Sequence, residues 1–77
     1  MPKLPSVNGR EVVAAFEKLG FSVDRITDTH HIMKKPGFIY LLSVPVHKSK
    51  AMKRGTLRSL IRDAEITVEE FIAALKE

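Results

Sequence analysis

Seventy-seven residues, 44% apolar and 29% charged, describe one small globular domain with a modest core. The lack of cysteine excludes a disulfide framework and a thiolate metal site. No apolar run approaches membrane-spanning length and the N-terminus lacks the apolar core of a secretion signal, so the expectation is a single cytoplasmic domain over residues 1–77.

The formal net charge of +4 is unevenly spread. Between Asp28 and Asp63 there is no carboxylate, yet this window holds eight of the thirteen Lys and Arg residues and all three histidines. Residues 1–28 balance four bases against four acids, and residues 63–77 set five acids against Lys76. Such a chain presents a segregated positive surface bordered by imidazoles. Its natural target is a polyanion, and imidazole adds acid–base chemistry.

Residues 1–7, with Pro2 and Pro5, read as an extended lead-in. Asn8 and Glu11 form a capping-box pattern. Val12, Val13, Phe16 and Leu19 follow at helical spacing, and Gly20 marks the stop. From Phe21 the period changes to two, which predicts a strand to about Thr27 and a turn at Asp28-Thr29. His30 to Lys35 is a second short strand, closed by Pro36-Gly37. Phe38 to Val44 is almost continuously apolar and predicts a well-buried third strand, which Pro45 ends or places at an edge.

A basic loop over residues 46–54 leads through Gly55-Thr56 into an amphipathic helix on Leu57, Leu60, Ile61 and Ala64. That helix starts at Gly55 or some residues before it. Thr67 and Glu70 form a second capping box, opening a last helix on Val68, Phe71, Ile72 and Leu75. The expected fold class is α+β in the order α-β-β-β-α-α, a three-stranded antiparallel meander with helices on one face.

His30-His31 is the sharpest local feature. Adjacent strand residues point to opposite faces, so the two cannot share a role. Ile32 and Met33 are both apolar, so the pattern leaves open which histidine faces the helices. The plain alternative is a polar strand start, with one histidine at the core edge and one solvated. His47 is a second acid–base group, a phosphate contact or a solvated loop residue. Three histidines, two of them adjacent, offer no recognised metal-ligand spacing, so no metal is expected.

Lys48, Lys50, Lys53 and Arg54 run into a helix start at Gly55-Thr56. Free backbone N–H groups, the helix dipole and ammonium groups together make a candidate phosphate cradle there. Lys34 and Lys35 extend the basic surface over residues 34–62. No Walker motif supports a nucleotide hydrolase, and strands interrupt any helix-turn-helix pattern. Tyr40 is either a stacking platform for a base or a packed sheet residue.

Five segments, Leu19-Gly20-Phe21, Thr29-His30-His31-Ile32-Met33, Val44-Pro45-Val46-His47, Arg54-Gly55-Thr56-Leu57 and Ile61-Arg62-Asp63-Ala64-Glu65-Ile66-Thr67, resemble in order and spacing the HicA-type (YcfA-like) toxins. These are the RNA-cleaving halves of HicA–HicB toxin–antitoxin pairs, and the resemblance covers nearly the whole chain. It implies a fold similar to a double-stranded RNA-binding domain and metal-independent mRNA cleavage without a cofactor. It also implies a HicB-type antitoxin that covers the basic, histidine-bearing face.

In that family a strand histidine after a Gly-Ser turn is catalytic. Here Asp28-Thr29 stands where Gly-Ser is usual, and the role carries over to His31, the second of the two positions. His30 is then accessory or structural, and His47 remains a candidate for the second acid–base group. Lys34, Lys35, Lys48, Lys50, Lys53, Arg54 and Thr56 are the candidate RNA contacts. A non-catalytic RNA-binding module on the same surface is the alternative reading, and a domain that meets only an acidic protein is a third. A second copy of the chain is a further candidate partner, because so short a domain buries little surface alone.

Overall fold

The computed structural model describes residues 4–47 and 50–76. Its elements are α1 (Gly9–Lys18), β1 (Ser22–Thr27), β2 (His30–Lys34), β3 (Leu42–Pro45), α2 (Arg54–Asp63) and α3 (Val68–Lys76), in the α+β order expected from the sequence. The strands form one antiparallel sheet in the order β1-β2-β3.

Local signals fix the helix ends. The Glu11 N–H donates to Asn8 Oδ1 at 3.0 Å, and the Asn8 N–H donates to Glu11 Oε1 at 3.1 Å. Thr67 and Glu70 repeat this reciprocal cap before α3, at 3.0 and 2.8 Å. Beyond α1, Gly20 takes φ +104°, a conformation that side chains resist. The Phe21 N–H then donates back to the Phe16 carbonyl at 3.0 Å, and the Phe21 ring lies 5.6 Å from the Phe16 ring.

The core lies between one sheet face and the helices. Phe16, Phe71, Met33, Leu42, Leu57, Val12 and Val44 are its largest fully buried side chains. α1 and α2 pack against the sheet, and α3 packs on α1, with the Phe16 and Phe71 rings 5.8 Å apart.

The start of α1 presses on the end of β3. A Cβ on Gly9 would meet the Pro45 carbonyl oxygen and come within 2.7 Å of Val46 Cα, both of them backbone atoms. Gly9→Ala is therefore expected to destabilise the fold by about 1–3 kcal/mol through overpacking. Gly55→Ala, where an added Cβ meets nothing within 4 Å, should be neutral or stabilising. Paired thermal melts check the contrast, and equal melting temperatures for the two variants would contradict it.

Two expectations need correction. The third strand begins at Leu42 rather than Phe38. After the Pro36-Gly37 turn, Phe38 leaves the ladder and sets its ring 5.6 Å from that of Phe21. Ile39, Tyr40 and Leu41 are left 86%, 62% and 53% exposed. The core face of β3 is filled by Leu42 and Val44 alone, so Ile39, Tyr40 and Leu41 have no place in the core. The alternation along β1 is also broken. Val23 pairs with Met33 but Arg25 pairs with Ile32, so a bulge at Asp24 shifts the register. Ile26 rather than Arg25 thereby shares the helix-bearing face with Val23.

Candidate functional site

β2 is the central strand, and its pairing settles which way each histidine faces. His31 stands opposite Ile26 on β1 and Val44 on β3, and two residues on lies Met33, fully buried against the helices. Strand parity therefore puts His31 on the helix-bearing side and His30 on the open side. Both are half-buried. His30 Nδ1 lies 3.3 Å from the Thr29 hydroxyl.

His31 occupies an asymmetric setting. Its neighbour Val44 is fully buried, whereas Ile26 on the other side is 61% exposed, so the imidazole is walled by β3 and open toward β1. Nδ1 is enclosed and has no hydrogen-bond partner among the described residues. Nε2 is then the nitrogen through which this ring exchanges a proton with anything outside the protein.

The other histidine lies at the same end of the sheet. The Val46 N–H donates to the Thr29 carbonyl at 2.7 Å, extending the β2–β3 ladder to the start of the His47 loop. The loop is tied down further on, where the Met52 N–H donates to the Val7 carbonyl at 2.7 Å and Ala51 bridges Asn8. These ties form an open depression of about 390 Å³ lined by Gly9, Pro45, His47, Lys50, Lys53 and Thr56 among others. Pro45 is also the ladder partner of His30, so the depression adjoins the histidine end of β2.

α2 starts at the rim of this depression with no side chain among the described residues capping its first N–H groups, and its first turn carries no acid. Unsatisfied N–H donors, Lys50, Lys53 and the Thr56 hydroxyl can together receive an anionic oxygen. Arg54 is exposed at the helix start but does not line the depression, and Lys48 lies outside the described residues.

Lys34 and Lys35 lie elsewhere. Lys34 pairs with Ser22 at the far end of β2, and its Nζ is 3.2 Å from Asp24 Oδ1. Lys35 sets its Nζ 5.4 Å from the centre of the Phe21 ring. Tyr40 is not packed in the sheet. It lies beyond the Met33–Leu42 end of the ladder, with its ring 6.2 Å from that of Phe38. The structure thus brings His30, His31, His47, Lys50, Lys53 and Thr56 to one end and leaves Lys34, Lys35 and Tyr40 at the other.

Ile26 is the neighbour of His31 that the sequence pattern misses, because the bulge at Asp24 reverses its face. Among the described residues no group of three or more His, Asp or Glu is arranged to hold a metal ion. No helix among them is long and apolar enough to cross a membrane.

Over residues 9–66, from the first residue of α1 to just past α2, the chain matches the family model described as HicA toxin of bacterial toxin-antitoxin. The match covers most of the chain, which therefore belongs to the HicA toxin family. Membership implies an antitoxin partner and an RNA substrate in general terms. No curated protein matches the chain.

Proposed function

We propose that this protein is a toxin-type endoribonuclease that cleaves mRNA in the cytoplasm without a metal ion, with His31 as its general acid–base group. A HicB-type antitoxin neutralises it by covering the histidine end of the sheet. The observation that carries this reading is the half-buried His31, its Nδ1 enclosed, at the end of the sheet that adjoins a basic depression at the start of α2.

Cleavage needs a base to take the proton of a ribose 2′-OH. The 2′-oxygen then attacks the adjacent phosphorus and the 5′-oxygen leaves with a proton. The products are a 2′,3′-cyclic phosphate and a 5′-hydroxyl. Nε2 of His31 is the nitrogen suited to the first proton transfer. Charge developing on the phosphorane is met by Lys50, Lys53 and the α2 N–H groups, which need little rearrangement to do so. His47, which lines the same depression, is the candidate for the second transfer. His30, held by Thr29, is an accessory residue on the open face. Arg54, Lys48, Lys34 and Lys35 contact the RNA further along its backbone.

The direct test incubates the protein with a long single-stranded RNA in EDTA. Cleavage is expected, and binding without cleavage would leave a non-catalytic RNA-binding module instead. The basic depression and the exposed Arg54 beside it have their own test. Single-strand binding loses affinity with salt at about 0.7 log units per phosphate contact, so the triple variant Lys50→Ala, Lys53→Ala, Arg54→Ala should flatten the salt slope by about 2. Anisotropy titrations on a His31→Ala background, which avoids cleavage, read that slope. An unchanged slope would place the RNA on another surface.

A further inference from the structure

The region around Ile39, Tyr40 and Leu41 lies at the end of the sheet away from the histidines, and none of its features is used by the proposed reaction. We infer that this region is a self-association surface, on which a second copy of the chain pairs with the outer edge of β3 about a twofold axis.

The backbone supplies the first argument. β3 is an edge strand. The bond from the Val46 N–H to the Thr29 carbonyl fixes the alternation of the β2–β3 ladder. His31–Val44 and Met33–Leu42 are then the hydrogen-bonded pairs, and the N–H and C=O groups of Ser43 point away from β2. The trans peptide that aims the Leu42 N–H at β2 turns the Leu41 carbonyl outward, and β3 extended by one residue would present the Leu41 N–H on the same side. The other end of the edge is closed, because Pro45 has no N–H and Gly9 packs on its carbonyl. The open stretch is therefore Leu41 to Ser43. An antiparallel copy centred on Leu42 places Leu41 opposite Ser43 of the second copy, and both pairs together exchange four backbone hydrogen bonds.

The side chains supply the second argument and select the occupant. Tyr40 and Leu41 line an open depression with Arg62, Asp63 and Glu65 at the end of α2. None of those three makes a side-chain ion pair or hydrogen bond among the described residues. An acidic partner suits the acid-free window but meets carboxylates here. A surface carrying an exposed apolar centre, one free cation and two free carboxylates is instead complementary to itself. Arg62 of each copy faces Asp63 or Glu65 of the other. The contact is small, so the dimer is weak, with a dissociation constant on the order of micromolar.

Sedimentation velocity over a concentration series tests this independently of any nuclease activity. The wild-type chain is expected to dimerise, and Leu41→Asp to weaken the dimer by about tenfold or more. Arg62→Glu and the double variant Asp63→Arg, Glu65→Arg should each be monomeric alone, with unchanged far-ultraviolet circular dichroism. Their equimolar mixture should form a heterodimer, since both cross-pairs are then of opposite sign. A wild-type chain that stays monomeric to millimolar concentration would overturn the inference. So would reversals that leave dimerisation unchanged, or a mixture that fails to restore it. A monomer that binds a purified antitoxin less tightly after Leu41→Asp would give the surface to that partner instead.

Discussion

Replacing His31 by alanine is expected to slow RNA cleavage by about 10²–10⁴-fold, the usual contribution of a positioned acid–base group, while the fold persists. The structural consequence should be small for a stated reason. His31 is half-buried at the margin of the core, and its enclosed Nδ1 has no hydrogen-bond partner among the described residues to lose. A surface-margin truncation of this kind costs about 1 kcal/mol or less. Single-turnover rates on a labelled RNA, beside melts of the same samples, separate the two effects. Cleavage retained within a few-fold would move the chemistry to another residue, and loss of cooperative melting would make His31 a structural residue. His47→Ala in the same assay asks whether the second proton passes through that ring.

The largest effect on stability is expected at Phe16. Its ring is fully buried and contacts both Phe21, just before β1, and Phe71 on α3. Truncation to alanine therefore loosens the sheet and the last helix at once, at a cost of about 3–5 kcal/mol. A domain of this length has only about 4–12 kcal/mol in total, at the usual stability per residue. Phe16→Ala should leave a substantial unfolded fraction and lose RNA cleavage with it. Urea denaturation gives the number, and a loss below about 1 kcal/mol would contradict this account of the core.

Features set by short-range chemistry are legible in the sequence. Asn8 with Glu11, Thr67 with Glu70, and Gly20 each announce a helix boundary, because caps and left-handed turns depend on a few adjacent residues. The face occupied by His31 is not legible. Ile32 and Met33 are equally apolar, and only the pairing of Met33 with Leu42 under the helices separates them. The apolar run from Phe38 reads as buried strand because composition carries no information on whether a partner surface exists. The bulge at Asp24 is silent as well, so a period of two from Phe21 groups Val23 with Arg25, when Ile26 is the residue that stands beside His31.

The acid-free window is legible as charge, but its division in space is not. Lys34 and Lys35 are drawn to Asp24 and to the Phe21 ring, which both precede the window, while Lys50 and Lys53 gather with His47 at the opposite end of the sheet. The window is thus one stretch of sequence serving two places. One is suited to phosphate and the other adjoins the apolar, self-complementary edge.

The account turns on transesterification by protein groups alone, and the ends of the RNA fragments report on it most directly. Fragments produced by the wild-type chain in EDTA should carry a 2′,3′-cyclic phosphate, or the 3′-phosphate it opens to, and a 5′-hydroxyl. The 5′ ends should accept label from a polynucleotide kinase without prior phosphatase treatment. Fragments with 5′-phosphate and 3′-hydroxyl ends, or cleavage that requires an added divalent cation, would contradict it.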